Sequence, residues 1–176
     1  MTEIDKKVDW ECLLSEYGNK IFNTIYCLLG NYHETEDVFQ EVFTLAYLNR
    51  HRFRGDSQPG TWLYRIAMNA VKAHIKRNKR HLNMVSESAI DRPETSILIE
   101  KDDNVESVYI GREINQKIQK ALLKLPVDFR NVFVLSCIDG YSYKEIACIL
   151  GVPLGTGESR LFRAKDRLRK ELSDLT

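Results

Sequence analysis

Ser142-Tyr143-Lys144-Glu145-Ile146-Ala147-Cys148-Ile149-Leu150-Gly151-Val152-Pro153 is the stretch that decides the fold. Ser142 stands three residues before Glu145, a capping-box arrangement in which each side chain serves the other residue's backbone N–H. The spacing predicts a helix through Ile146, Ala147, Ile149 and Leu150 that stops at Gly151, with a second helix beginning after Pro153. Helices joined by so short a turn cross closely. The crossing needs a small residue in the first helix and a turn residue that accepts positive φ; Ala147 and Gly151, four apart, meet both needs. Val152 and Leu161 supply buried positions after the turn, and Ser159, Arg160, Phe162 and Arg163 lie on the second helix. This is a helix-turn-helix, whose second helix enters the major groove of duplex DNA. An ordinary helical hairpin with a solvated basic face accounts for the charges but not for the Ala147 to Gly151 spacing.

Helical periodicity extends outward from this motif over nearly the whole chain. Ile21, Ile25 and Leu28 form one stripe, Val38, Val42 and Leu45 a second, and Trp62, Ile66, Ala70 and Ala73 a third. Breaks at Gly30-Asn31 and at Gly55 to Gly60 divide this part into three helices. Ile110, Ile114, Ile118, Leu122 and Leu125 make a stripe ending at Pro126, Val127 to Ile138 a further apolar helix, and Asp139-Gly140 a turn. No alternating strand pattern competes, so the predicted class is all-α. From Ser86 to Glu106 seven acids outnumber Arg92 and Lys101, apolar periodicity fades and Pro93 interrupts. That composition predicts an acidic, flexible, solvated linker over 86–106 between two small helical domains at 9–85 and 107–176.

Over 176 residues, 26 Lys and Arg nearly balance 25 Asp and Glu, which hides a sharp segregation of charge. Arg65, Lys72, Lys76, Arg77, Lys79 and Arg80 form a run without one acid, and Glu34, Glu36, Asp37 and Glu41 form a run without one Lys or Arg. The first suits phosphate; the second prefers a basic partner or water. Six basic residues between Glu158 and Glu171 mark a second cationic helix. No apolar run approaches the roughly 20 residues of a membrane span, and Met1 to Asp9 is charged, so the expected location is cytoplasmic, without membrane insertion. Cys12, Cys27, Cys137 and Cys148 include no Cys-x-x-Cys pair and are expected to be small core residues. His33, His51, His74 and His81 show no ligand spacing, and no Gly-rich phosphate loop is present. No metal, cofactor or catalytic group is therefore expected, and the chain does not read as an enzyme.

Within the basic run, Arg65, Asn69, Lys72 and Lys76 recur at three or four residues and share one helical face. The polar segment Arg54-Gly55-Asp56-Ser57-Gln58-Pro59-Gly60 precedes them, with Thr61 as candidate helix cap and Trp62 and Tyr64 as core residues. A cationic ridge beside such a loop suits single-stranded DNA, where cations track the backbone and Asn69 offers a donor and an acceptor to a base edge.

Three ordered motifs now carry a resemblance: Asp37-Val38-Phe39-Gln40-Glu41-Val42-Phe43; Phe53-Arg54-Gly55-Asp56-Ser57 with Thr61-Trp62-Leu63-Tyr64-Arg65-Ile66-Ala67-Met68-Asn69; and Gly151-Val152-Pro153-Leu154-Gly155-Thr156 with Ser159-Arg160-Leu161-Phe162-Arg163-Ala164. The chain resembles, over nearly its whole length, the extracytoplasmic-function sigma factors of the sigma-70 family, promoter-specificity subunits of bacterial RNA polymerase. The resemblance implies region 2 at 9–85, a linker that threads polymerase, and region 4 at 107–176. It implies that Asp37, Gln40 and Glu41 dock on the clamp helices of the largest polymerase subunit and that region 4 meets the beta flap. Arg65, Asn69, Lys72 and Lys76 then serve the minus-ten strand, with Arg54, Asp56 and Ser57 in a loop that holds a flipped base. Thr156, Glu158, Ser159, Arg160, Phe162 and Arg163 serve the minus-thirty-five element. The chemistry implied is strand capture: opening base pairs costs about 1.4 kcal/mol per stacking step, and pockets for unstacked bases recover it. An anti-sigma partner is also implied.

Two positions depart from the family pattern. Pro59-Gly60 replaces an aromatic and a polar residue, which predicts a differently shaped base-holding loop. Gly157-Glu158 replaces valine followed by a basic or polar residue; glycine loosens the helix and the carboxylate repels phosphate, unless it acts as a first-turn partner of the helix dipole. A weak minus-thirty-five contact, and recruitment by another DNA-bound factor, are the expectations. The competing reading, a helix-turn-helix transcriptional regulator that is not a polymerase subunit, leaves the paired acidic and basic helices of the first half unexplained.

Overall fold

A computed structural model of the chain describes residues 10–53, 55, 57–84 and 105–173. Seven α-helices are present among them: α1 Trp10–Leu29, α2 Tyr32–Leu48, α3 Pro59–Met84, α4 Val105–Lys124, α5 Val127–Phe133, α6 Tyr143–Leu150 and α7 Leu154–Glu171. The expected linker lies outside the described residues except for Val105 and Glu106, which open α4.

Local chemistry explains most of the boundaries. Asn31 caps α2 by accepting the Glu34 N–H, and Gly30, at φ +72°, turns the chain out of α1. Ser142 and Glu145 form the reciprocal capping box of α6, and Gly151 ends that helix in the left-handed conformation at φ +64°. Thr61 is not a cap. Helix α3 starts two residues earlier at Pro59, whose missing N–H costs nothing at a first helical position, and Thr61 is buried within the first turn. Gly60 has a packing reason: a Cβ there would lie 2.5 Å from Tyr17 of α1. The segment expected as a single helix from Val127 to Ile138 is α5 continued by a π-helical turn, Val134–Ile138, whose exit is set by Asp139 N–H to Val134 O at 3.0 Å and Tyr141 N–H to Leu135 O at 2.9 Å.

The two halves pack as one body. A single apolar core joins Ile21, Ile25 and Leu28 of α1, Val38 and Val42 of α2 and Leu63, Ala67 and Val71 of α3 to Val132, Leu135, Ile146, Ile149 and Leu161 of the C-terminal half. A smaller cluster of Ala121, Leu122, Leu125, Ala164 and Leu168 ties α4 to α7. The buried side of α3 is broader than its expected stripe, because Tyr64 and Met68 are covered as well, while Ala73 is exposed. Ile118 also stands at the surface, its place toward the core taken by Gln119. Three of the cysteines, Cys12, Cys137 and Cys148, are exposed; Cys27 alone packs against the core, and burial followed by the charge of Asp139 pushes its thiol up to about 11.

Polar groups stitch the halves where the helices end. Gln119 Nε2 donates to Tyr26 O and Cys27 O, both at 3.2 Å. Arg130, only 8% exposed, donates to Leu28 O at the end of α1 and to Leu123 O and Leu125 O at the end of α4. The final carbonyls of α1 thereby gain donors from the other half, and the same guanidinium serves the end of α4. Gly30 sits at this junction, where an added Cβ would come within 2.5 Å of Leu123. Gly30→Ala is therefore expected to destabilise the chain by more than the roughly 1–2 kcal/mol of left-handed strain. Urea denaturation checks this, the expected result being a lower midpoint with an unchanged slope.

Candidate nucleic-acid and polymerase interfaces

The segregated charges of the sequence meet between α2 and α3. Glu41 pairs with Arg77 at 2.9 Å, and Glu34 with His74 Nε2 at 2.9 Å, which also contacts Asn78 at 3.1 Å. The acidic run is thus not without internal basic partners, as the sequence alone suggested, because helical geometry turns Arg77 and His74 back toward α2. Asp37 and Gln40 remain exposed on the outer side of α2, and no ion pair engages Asp37 among the described residues. Aromatic side chains back this face: Phe22 and Phe39 pack at 5.5 Å, Phe39 and Phe43 at 4.8 Å.

Arg65, Asn69, Lys72 and Lys76 are all exposed along α3, as their spacing required. Ser57 is half-buried, whereas Arg54 and Asp56 lie outside the described residues. Trp62 is half-buried and packs against Phe53 at 5.4 Å, while Tyr64 is fully enclosed, at 1% exposure. Arg65 does not project freely. Its Nη2 donates to Cys148 O at 2.7 Å and contacts Cys148 Sγ at 3.1 Å, so α6 of the C-terminal half sits on the start of the cationic ridge.

On α7, Ser159, Phe162 and Arg163 are exposed, Phe162 at 77%, and Thr156 is half-buried. Ser159 Oγ donates to the Thr156 backbone carbonyl at 3.1 Å, which holds the Ser159 hydroxyl against its own helix. Arg160 is partly buried and pairs with Asp128 of α5 at 3.1 Å. Glu158 is exposed and is the fifth residue of α7, past the first turn where the helix dipole is felt, so the first-turn role fails on geometry. Gly157 is buried, yet a Cβ built there would meet nothing within 4 Å. The glycine leaves room beside α6 instead of fitting a close approach.

These surfaces converge. A cleft of about 120 Å³ is lined by Met68, Asn69 and Lys72 of α3, Asp128 and Asn131 of α5, Leu150, Val152 and Arg160. Two of the candidate strand-binding side chains therefore share a cleft with a candidate duplex-reading arginine, a juxtaposition across halves that sequence spacing does not encode. Asn131, 5% exposed with no partner for Oδ1, was also missed, and its only sequence signal is a polar residue within an apolar helix. Among the described residues no cluster of His, Cys, Asp and Glu has the form of a metal site, and no helix is long and apolar enough to cross a membrane.

Comparison with known proteins places this geometry. Residues 13–81 match sigma-70 region 2, and residues 115–168 match sigma-70 region 4. The chain is 39% identical over 161 residues to the ECF RNA polymerase sigma factor SigW of Bacillus subtilis, covering 90% of this chain and 86% of the relative. It is 34% identical to the RNA polymerase sigma-H factor of Pseudomonas aeruginosa, over 97% of this chain and 89% of the relative. With the ECF RNA polymerase sigma-E factor of Escherichia coli it shares 35% over 144 residues, 81% of this chain and 75% of the relative. In fold it is similar to the sigma factor RpoE of Bartonella quintana, solved with the anti-sigma factor NepR, at TM-score 0.74 and 23% identity over 94% of this chain and 97% of that one. CnrH, solved with the cytosolic domain of CnrY, gives TM-score 0.70 and 22% identity over 95% of this chain and 89% of that one. With both sigma-70 regions present in order on an all-helical frame, the chain belongs to the ECF RNA polymerase sigma factors.

Proposed function

We propose that the chain binds core RNA polymerase through the exposed side of α2 and directs promoter recognition and melting through α3 and α7. The observation that carries this reading is the division of labour on α2 and α3. They bond to each other where they touch, through Glu41–Arg77 and Glu34–His74, and turn opposite charges outward on separate faces. Asp37 and Gln40 are offered to the clamp helices of the largest subunit. Arg65, Asn69, Lys72 and Lys76 take the non-template minus-ten strand, with Arg54, Asp56 and Ser57 at the flipped base. Ser159, Arg160, Phe162 and Arg163, with Thr156, take the minus-thirty-five duplex, and region 4 also meets the beta flap. The setting is the cytoplasm, and the whole-chain likeness to a sigma factor solved with its anti-sigma factor supports an anti-sigma partner here.

The two DNA elements lie roughly 25 base pairs apart, or about 85 Å of duplex at 3.4 Å per pair. Asn69, Lys72 and Arg160 line one cleft in the structure. The described arrangement is therefore a closed form, and simultaneous contact with both elements requires region 4 to leave region 2.

Core binding is tested with Asp37→Lys combined with Gln40→Lys, since both residues are exposed and reversal at Glu41 would also set two cations together at Arg77. Loss of core-polymerase affinity by about tenfold or more, with helical circular dichroism retained, is expected. Unchanged affinity would remove α2 from the interface. Promoter-directed run-off transcription by reconstituted holoenzyme tests the function itself; activity of the isolated chain on DNA without core polymerase would favour an independent regulator.

Glu158 and Gly157 support a weak minus-thirty-five contact, with a second DNA-bound protein aiding recruitment. The exposed carboxylate subtracts from phosphate attraction, and the open space at Gly157 leaves α7 less firmly seated. Gly157→Val with Glu158→Lys is expected to strengthen duplex binding by roughly 1–3 kcal/mol, the scale of one good base contact. Selection from a randomised minus-thirty-five library checks the reading. A tight, sharply defined hexamer for the natural chain would instead make Glu158 a direct reader, accepting a hydrogen bond from a cytosine amino group.

A further inference from the structure

Asp139 ends the π-helical turn of region 4 and enters a hydroxyl-lined niche in region 2. Thr24 Oγ1 of α1 lies 2.9 Å from Oδ1 and 3.0 Å from Oδ2, and 3.5 Å from the Tyr64 hydroxyl of α3. The Thr24 hydroxyl is also 2.8 Å from Lys20 O, so its single proton is contested by acceptors on two sides. A neutral Asp139 carboxyl relieves the contest by donating to Thr24 while Thr24 donates to Lys20 O.

Titratable and charged groups approach Asp139 from several elements. From α1 come Lys20, exposed and cationic, and Cys27; from α3 comes Tyr64; from the chain after the turn comes Tyr141, whose ring packs on Tyr64 at 4.8 Å. Tyr17 and Glu145 border Tyr141. Burial, reinforced by the charge of Asp139, raises the Cys27, Tyr64 and Tyr141 groups, so all three stay neutral across the ordinary range of pH. No Lys, Arg or His forms an ion pair with Asp139 among the described residues. A carboxylate in this half-buried niche has hydroxyls and the Lys20 ammonium about it, with only part of its surface open to water.

We propose that Asp139 is a proton-operated latch: neutral, it seats region 4 on region 2, and ionised, it weakens that seat and favours the open chain. What opening serves rests on the function proposed above; the seat itself rests on the contacts. Burial pushes the Asp139 carboxyl up to about 7, with the bonds from Thr24 and Tyr64 and the field of Lys20 acting the other way. In the open chain the same carboxyl faces water and keeps an ordinary carboxylate affinity, about 3.9. The closed form thus holds the proton more tightly, and lowering the pH favours closure. Between those limits the opening constant rises tenfold per pH unit, and above about 7 it levels off. Arg130 and Gln119, which do not titrate in this window, set its baseline.

The test uses the full chain with fluorophores on Thr44 of α2 and Lys165 of α7, both exposed, and reads the open fraction by single-molecule energy transfer from about pH 5.5 to pH 8.5. The natural chain is expected to show an opening constant that climbs about tenfold per unit and flattens near pH 7; Asp139→Asn, permanently uncharged, is expected to give a flat line. Thr24→Val, which removes a donor to the carboxylate, moves the flattening point to higher pH. Infrared difference spectra supply a readout independent of folding of the variants: a protonated-carboxyl band that titrates with closure and is absent from Asp139→Asn. A natural chain without the slope, or an Asp139→Asn chain that keeps it, overturns the latch. Core binding and run-off transcription measured on the same samples separate the two ideas. Transcription without a pH slope sinks the latch alone, and a pH slope without transcription sinks the sigma function alone.

Discussion

The end of α1 depends on side chains that its own sequence does not supply. The last turn of that helix carries no basic residue, and its final carbonyls point toward the second half of the chain. Gln119 takes those of Tyr26 and Cys27, Arg130 takes that of Leu28, and Arg130 reaches in the same gesture to the end of α4. A guanidinium so deeply enclosed is held by three carbonyls and by the negative ends of two helices, which together offset its desolvation. Burial still lowers its proton affinity, a measure of how little water it retains. The apolar core runs unbroken from α1 into α5 and α6 around this junction, where the helix-end carbonyls are paired although Arg130 Nε is not.

Closure of the two halves has a direct bearing on function. The cationic ridge of α3 is exposed along its length, but its first member is bonded to α6 and its middle lines a cleft with α7. Region 4 therefore competes with nucleic acid for part of the surface that nucleic acid is proposed to use. The ties across this interface are of two kinds: carbonyl contacts from Arg130 and Gln119 that pH leaves alone, and the Asp139 cluster, which carries a titratable group. A partner that separates the halves must replace the first with water or its own groups. The second is loosened when Asp139 loses its proton.

Much of the architecture was legible because local rules agree with the tertiary result. Ser142 and Glu145 form their capping box, Gly140 and Gly151 take positive φ, and Arg65, Asn69, Lys72 and Lys76 share the exposed side of α3. The readings that failed were those that needed a neighbour from another helix. The acidic run on α2 looked unpartnered until helix packing brought Arg77 and His74 to it. Cys12, Cys137 and Cys148 are apolar enough for a core, but their places on the helices face outward. Thr61 has the chemistry of a cap, and Pro59 pre-empted it by starting the helix sooner. Asp139 read as a turn residue, and only the approach of Thr24 and Tyr64, over a hundred and about seventy-five residues away in sequence, made it a half-buried acid bonded across the two halves.

The central claim is that the chain alone is closed and that engagement of promoter separates region 4 from region 2. The distance between Thr44 of α2 and Lys165 of α7, both exposed and outside the proposed contacts, read from a pair of spin labels, tests this most directly. One short, narrow distribution is expected for the isolated chain, with a shift of tens of ångströms when core polymerase and a promoter fragment are added, as contact with two elements about 85 Å apart demands. A distribution that is already long in the isolated chain, or one that stays short in the promoter complex, would contradict it.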